Sequence, residues 1–450
     1  MKSRKFTRRQ ALTTASAGVA AALFGFPFRS FGIRNGTQLT KLAVNGGDKV
    51  HPGPWPRWPY WDQQAETGLV EMFRSGRWWR GGGEHVAEFE KKYAELMGAP
   101  RCLATASGTT ALLTAMNVLG VDAGDEVLVS PFTFIATYNV IFATRALPVF
   151  VDSDPETFLL DPSAIEAKIT ERTVAIIPVH IYGLPVDMDS VNNVAKKHDL
   201  KVIEDACQAW LAEYRGKKVG TLGDLGCFSF QNSKHLPSGE GGAILGSDDD
   251  IMDRCHAYHN CGRPYGKMKS VSGNQYNGMN YRMKQSQALI LLSQMKRIVK
   301  DNEIRQGNAL YLSEKLKDIP GIIPVKPAPG ATGAVYHMYP FRYIKEKFDD
   351  IPKEKFIRAL NAEGIPCGNG YGKQNKDDLI EEQLNSKGFK RLFSASRLAQ
   401  WREENFLPGN DMLCDQAVVF SQSMLLGSRS DMDDIVNAVI KIRENRSSLK

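Results

Sequence analysis

The sequence predicts an α/β protein: a large, mostly parallel sheet, followed along the chain by a smaller α+β unit. Three observations predict it. Between Arg101 and Gly246, short apolar runs alternate with segments of helical periodicity. The runs (EVLVSP, AIIPVH, KVIEDA) are continuously apolar, as in strands buried on both faces. At 450 residues, 42% hydrophobic and 24% charged, the chain is too long for one ordinary core and has the composition of a globular protein.

The first 34 residues hold Lys2, Arg4, Lys5, Arg8, Arg9, Arg29 and Arg34, which account for the whole formal charge of +7. The remaining body is neutral, which argues against a basic nucleic-acid surface. Arg8-Arg9 followed by the apolar, small-residue run Ala11 to Phe28 reads as an export signal of the twin-arginine type, with a periplasmic or membrane-associated protein as the consequence and a cytoplasmic one as the alternative to that signal. Thr13, Thr14, Ser16, Gly18, Gly25 and Pro27 make that run weak as a membrane span. Seven cysteines without a C-x-x-C pair point away from a zinc site or a disulfide framework.

Four segments follow from this reading: the signal at 1–34, an arm at 35–60, a large domain at 61–300 and a small C-terminal domain at 301–450. In the arm, VNGGDKVHPGPWPRWPYW is too rich in Pro and Gly for a helix, and its aromatics need a surface to pack on. Amphipathic helices are expected at 61–73 and 84–97, separated by the breaker SGRWWRGGG. Strands are expected at 102–106, 126–130, 147–152, 174–180, 201–205, 227–231 and 242–246, and helices at 109–119, 134–143, 161–169, 187–198 and 249–259. A long helix is expected at 286–318. The small domain then gives short strands (VYHMYPFRYI), a helix at 353–364, a charged stretch at 373–390 and a closing helix at 430–444.

In parallel α/β sheets, ligands bind at the carboxyl ends of the strands, and four such ends carry complementary polar groups. In ATASGTTALLTAM the turn through Ser107, Gly108, Thr109 and Thr110 offers backbone N–H groups, hydroxyls and a helix N-terminus to an anion, and serves equally well as the helix's own N-cap. Phe134, in SPFTFIATYNV, is an ordinary core aromatic or a stacking face for a planar ring. Asp205 ends an apolar strand, where a carboxylate needs a cation or donors. Gln208 follows one turn later. In GCFSFQNSKHLPSGEGG, Ser229 adds a hydroxyl and Lys234 an amine in a crowded polar setting. A phosphate cradle, a stacking face, an acid for a ring nitrogen and a reactive amine together make the set that pyridoxal 5′-phosphate requires.

The chain resembles the DegT/DnrJ/EryC1/StrS family of fold-type-I, pyridoxal-phosphate-dependent aminotransferases. The resemblance runs through WPRWP, SGRWWRGGGEHVAEFE, GDEVLVSPFTF, PVFVDSD, PVHIYG, EDACQA, GTLGDLGCFSFQNSKHLPSGEGGAI and NGMNYRMKQSQA, in that order. It implies that Lys234 is the Schiff-base lysine, Asp205 the partner of the pyridinium, Gln208 the neighbour of the ring hydroxyl and Phe134 the stacking aromatic. It likewise implies a phosphate site of Gly108, Thr109, Thr110 and Ser229. Asn280 resembles a family asparagine that reaches the neighbouring subunit's phosphate, so a homodimer with shared sites is implied.

Two departures concern the substrate. Trp210 stands where the family commonly has a histidine, and Gly368-Asn369-Gly370-Tyr371-Gly372 stands where it commonly has residues for a nucleotide sugar. The arm resembles the branch of aminohydroxybenzoate synthases and scyllo-inosose aminotransferases. The expected reaction is amino transfer from glutamate or glutamine to a keto group of a sugar, cyclitol or related ring. The rivals are a dehydratase or aromatising synthase on the same fold, and a cofactor-binding sensor without turnover.

Overall fold

The seven apolar runs become seven strands of one sheet, each within three residues of its expected bounds. They are β1 (Arg101–Thr105), β2 (Glu126–Val129), β3 (Leu147–Phe150), β4 (Thr173–Ile177), β5 (Lys201–Asp205) and, beyond the short β6 (Glu213–Tyr214) and β7 (Lys217–Lys218), β8 (Leu225–Ser229) and β9 (Gly242–Gly246). The order is β1-β9-β8-β5-β4-β2-β3. Pairing is parallel from β3 through β8, while β9 runs antiparallel between β1 and β8. The computed structural model describes residues 41–270, 273–274 and 277–450. The export signal expected at 1–34 lies outside the described residues, and none of the described helices is long and apolar enough to cross a membrane.

Helices Gly108–Val118, Ala136–Ala143, Met188–Lys197 and Asp249–His259 follow strands as expected. The helix expected at 161–169 is instead two 3₁₀ turns, Pro162–Ala164 and Glu166–Lys168. Asp161 accepts from the amide of Ser163 at 2.9 Å, and the next bonds close over three residues (Ala164 N–H to Asp161, Lys168 N–H to Ile165), which tightens the segment past α geometry. The long helix, Gln285–Leu316, crosses to an antiparallel sheet of β10 (Ile322–Pro324), β12 (Met338–Tyr343), β13 (Cys367–Asn369) and β14 (Ala417–Ser421) in the order β10-β12-β14-β13. β11 (Ala331–Gly333) pairs instead with β6.

Buried charges tie these layers together. Glu204 accepts from the amides of Gly220, Leu222 and Gly223 at 2.6–2.7 Å and from His180 Nε2 at 3.0 Å. His180 Nδ1 accepts from the Val186 amide, which fixes its tautomer. Arg397 grips the fully buried Glu126 with two bonds, 2.6 and 3.0 Å. The arm is anchored by Glu363, which accepts from the amides of Ala43 and Val50 and from Lys441 Nζ at 2.8 Å.

Among its described residues the arm contains no α-helix, as its prolines dictate, and its aromatics do find surfaces. Trp55 Nε1 donates to the Gly364 carbonyl, and Trp58 Nε1 to the carbonyl of Lys234 at 3.0 Å.

Candidate active site

Strand register assembles the site. Thr105 pairs with Gly242 and Gly242 with Ser229, so the ends of β1, β9 and β8 lie in one row. In the neighbouring pair Asp205 is opposite Cys227. The carboxyl ends of β1, β5 and β8 therefore open at the same edge, which is the placement expected of ligand-binding groups.

The turn after β1 is built for close approach. A Cβ on Gly108 would stand 2.8 Å from both the Ser229 Cβ and the Cys207 Sγ, and one on Gly242 would stand 2.3 Å from the Ser107 carbonyl oxygen. Only glycine fits at either position. Ser107 and Thr110 form a reciprocal capping box, Thr110 N–H to Ser107 Oγ at 3.1 Å and Ser107 N–H to Thr110 Oγ1 at 2.9 Å. The two readings of this turn thus divide among its residues. Thr110 is committed to the cap, while the amides of Gly108 and Thr109 lie in the first turn, free of intrahelical partners and available to an anion, and Thr109 is exposed.

Asp205 is buried, and its carboxylate is positioned by two donors. Thr137 Oγ1 donates to Oδ2 at 2.8 Å and the Cys207 amide to Oδ1 at 3.1 Å. The same Thr137 hydroxyl contacts Thr133 at 2.9 Å. Phe134, three residues before Thr137, is 55% exposed, which rules out the core reading of this aromatic and leaves an open face at the mouth of the site.

Gln208 is buried and clamped. Its carbonyl accepts from the Tyr182 amide at 2.9 Å, and its amino group donates to Tyr371 Oη at 3.0 Å, leaving one N–H for a ligand. Tyr182 is held at φ 56°, a left-handed conformation unusual for a bulky residue, and its ring stacks on Tyr371 with centroids 5.5 Å apart. Tyr371 comes from the very segment that departs from the family pattern.

Lys234 lies in the connection between β8 and β9. Its Nζ has no hydrogen-bond acceptor or ion-pair partner among the described residues, and stands 5.9 Å from the centre of the Trp210 ring. Part of the residue remains open to solvent, yet the amine is desolvated, and this burial holds its pKa below the ordinary lysine value against the opposing fields of Cys207 and Asp205. Asn280 is exposed, and its backbone bridges Asn260 next to the stretch where Tyr281 accepts from the Ala106 amide. The fold thus gathers Gly108, Thr109, Ser229, Asp205, Gln208 and Lys234 around one edge of the sheet. Trp58 and Tyr371, which sequence reading gave no role here, join them from distant segments.

A model of the DegT/DnrJ/EryC1/StrS aminotransferase family matches residues 61–400. The chain is 35% identical to the L-glutamine:2-deoxy-scyllo-inosose aminotransferase of Streptoalloteichus tenebrarius, across 91% of this chain and 99% of that one. It is 33% identical to the L-glutamine:scyllo-inosose aminotransferase of Streptomyces griseus, across 90% and 98% of the two chains. Among solved structures, 3-amino-5-hydroxybenzoic acid synthase superposes with a TM-score of 0.76 at 30% identity, covering 87% of this chain and 99% of that one. An aminotransferase from Psychrobacter cryohalolentis gives a TM-score of 0.77 at 28% identity, covering 88% and 100%. A family model over most of the chain and relatives matched over about nine-tenths of it leave one assignment: this chain belongs to the DegT/DnrJ/EryC1/StrS aminotransferase family.

Proposed function

We propose that this protein is a pyridoxal-phosphate-dependent aminotransferase that moves an amino group from glutamine to the keto carbon of a cyclitol. The observation that carries the reading is Lys234: a desolvated, unpaired amine at the strand-end row, kept short of its usual basicity, with a buried carboxylate on the adjacent strand. Relatives named for glutamine donors and scyllo-inosose acceptors support the choice of substrates.

The residues present suit the cofactor. The Gly108 turn and Ser229 would hold its phosphate, Asp205 its ring nitrogen, Gln208 its ring oxygen and Phe134 one ring face. When bound, pyridoxal phosphate supplies an aldehyde for the amine and a ring that accepts electrons from the substrate Cα. Asp205, oriented by Thr137, would be the partner of the ring nitrogen. Lys234, with its proton affinity lowered by burial, would be the base that takes up the proton leaving the substrate Cα.

Loaded protein should be yellow, lose that colour with glutamine and regain it with scyllo-inosose. Persistence of colour with every amine donor would favour a sensor, and turnover of nucleotide keto-sugars in place of keto-cyclitols would overturn the acceptor. Lys234→Ala should abolish the colour change while the protein keeps its circular dichroism.

We also propose a homodimer and export as a folded protein. Exposed Phe73, Trp78 and Trp79 on one helix and its following loop support an apolar contact with a second copy, and Asn280 is accessible to reach it. Mixing inactive Lys234→Ala with inactive Asn280→Ala should restore part of the activity if sites are shared, and no recovery would count against sharing. Arg8→Lys with Arg9→Lys should retain the protein inside the cell, and unaffected secretion would exclude the twin-arginine route.

A further inference from the structure

Arg305, on the helix Gln285–Leu316, is fully buried, and no carboxylate among the described residues lies within ion-pair distance of its guanidinium. Asp301, one turn away, is already taken by Arg297 at 2.7 Å. Burial pulls the Arg305 pKa down to about 9. A buried cation without a counter-ion is costly to fold around, so the contacts it makes identify its task.

Arg305 Nε donates to Gln422 Oε1 at 2.9 Å and Nη1 to Asn302 Oδ1 at 2.9 Å, while the guanidinium lies 5.0 Å from the centre of the Trp58 ring. Two of these contacts continue to the same lysine. Trp58 Nε1 donates to the Lys234 carbonyl at 3.0 Å. Asn302 Nδ2 donates to the Trp210 carbonyl at 2.8 Å, and the Trp210 ring stands 5.9 Å from Lys234 Nζ. His235 and His337 fill the space beside them, with ring centroids 5.3 and 5.8 Å from that of Trp210 and 5.9 Å from each other. All of these rings are at least nine-tenths buried except Trp58, which is partly covered.

We infer that Arg305 is a positioning residue for Lys234: through Trp58 it fixes the main chain of the lysine, and through Asn302 and Trp210 it fixes the indole that faces the amine. The inference rests on the reading of Lys234 as the reactive amine. Its physical content is that an amine which must leave and re-approach one carbon needs a rigid base. A misplacement of about 1 Å costs on the order of a hundredfold in rate.

The test uses Arg305→Met, Arg305→Lys, Trp58→Phe and the double variant Arg305→Met/Trp58→Phe, each checked by circular dichroism. Three readouts apply: kcat and KM for glutamine, competitive acetylation of Lys234 in the cofactor-free protein across pH, and borohydride reduction of the loaded protein with mapping of the modified peptide. We expect Arg305→Met to lose about ten- to a hundredfold in kcat with KM little changed, and the Lys234 acetylation profile to move toward that of an ordinary lysine. Trp58→Phe removes the indole N–H that holds the Lys234 carbonyl but leaves the path through Asn302 and Trp210, and should lose less. The double variant should be no worse than Arg305→Met alone, because Trp58→Phe cuts a path that Arg305→Met has already cut.

Folded Arg305→Met with kcat and the acetylation profile unchanged would overturn the inference, as would losses that multiply in the double variant. If Arg305→Met fails to fold, Arg305→Lys and Trp58→Phe decide, and wild-type behaviour of both overturns it. Failure of borohydride to fix the cofactor on wild-type Lys234 would instead sink the reading of Lys234 itself. The acetylation profiles, taken without cofactor, keep the two failures apart.

Discussion

Lowering the pH from 7 to 5 should cost the cofactor-free protein much of its stability, through histidines. His235, His259 and His337 are 2%, 0% and 4% exposed, and burial holds each well below the ordinary imidazole pKa, so the fold keeps them neutral. Unfolded, each takes up a proton near pH 6.5. A folded-state pKa depressed in this way gives stability that is present in full above pH 6.5 and is lost as pH falls below it. Between pH 7 and 5 one such histidine costs about 1.9 kcal/mol, and three cost about 6 kcal/mol, against a typical total of about 5–15 kcal/mol. Urea unfolding at pH 7, 6 and 5 measures the loss. Subtraction of His337→Gln isolates one site: its stability should fall less steeply than wild type, by about 1.4 kcal/mol per pH unit below pH 6. Any offset from the substitution itself leaves that slope untouched. Parallel pH dependences for wild type and His337→Gln would refute the assignment of a neutral buried imidazole.

Four further outcomes follow from the site and its supports. Gly108→Ala puts a methyl 2.8 Å from both Ser229 and Cys207, and overpacking of about 1–3 kcal/mol should weaken pyridoxal-phosphate binding in equilibrium dialysis. Thr137→Val removes the 2.8 Å bond that orients Asp205, worth about 1.5–3 kcal/mol, so kcat/KM should fall by roughly ten- to a hundredfold. Lys234→Met should raise the melting temperature of the cofactor-free protein at pH 7, because the fold disfavours the proton that the unfolded lysine binds. Glu126→Gln takes the fully buried carboxylate from Arg397 and leaves it the 3.2 Å bond to Glu404, and should cost about 1–3 kcal/mol in chemical denaturation.

The strands and most helices were legible because buried runs must be apolar and covering helices amphipathic, and both patterns are local. The strand order was not: nothing in Gly242–Gly246 says that it runs antiparallel between β1 and β8, since an apolar run has no direction. The short helices Ala395–Glu404 and Pro408–Gln416 were likewise unread, in a region whose charged residues mask the periodicity. Lys234, Asp205 and the Gly108 turn stood out as polar groups at apolar strand ends. Gln208 was visible as a polar side chain one turn past Asp205, but its clamp by Tyr371 joins residues 163 positions apart. Arg305 sits in a helix with many other cations, and only burial distinguishes it. The 3₁₀ turns at 162–168 show the remaining limit, since Pro162 and Asp161 announce a helix start without fixing how tightly it winds.

The support of Lys234 also sets a timetable. The lysine leaves the ribosome with its strand neighbours, but Gln422, which holds Arg305, is translated about 190 residues later, a delay of roughly ten to forty seconds at ordinary synthesis rates. During that interval the chain presents a strand-end amine without its finished backing. With the proposed role of Arg305, a chain not yet extended to Gln422 carries the lysine without its complete support.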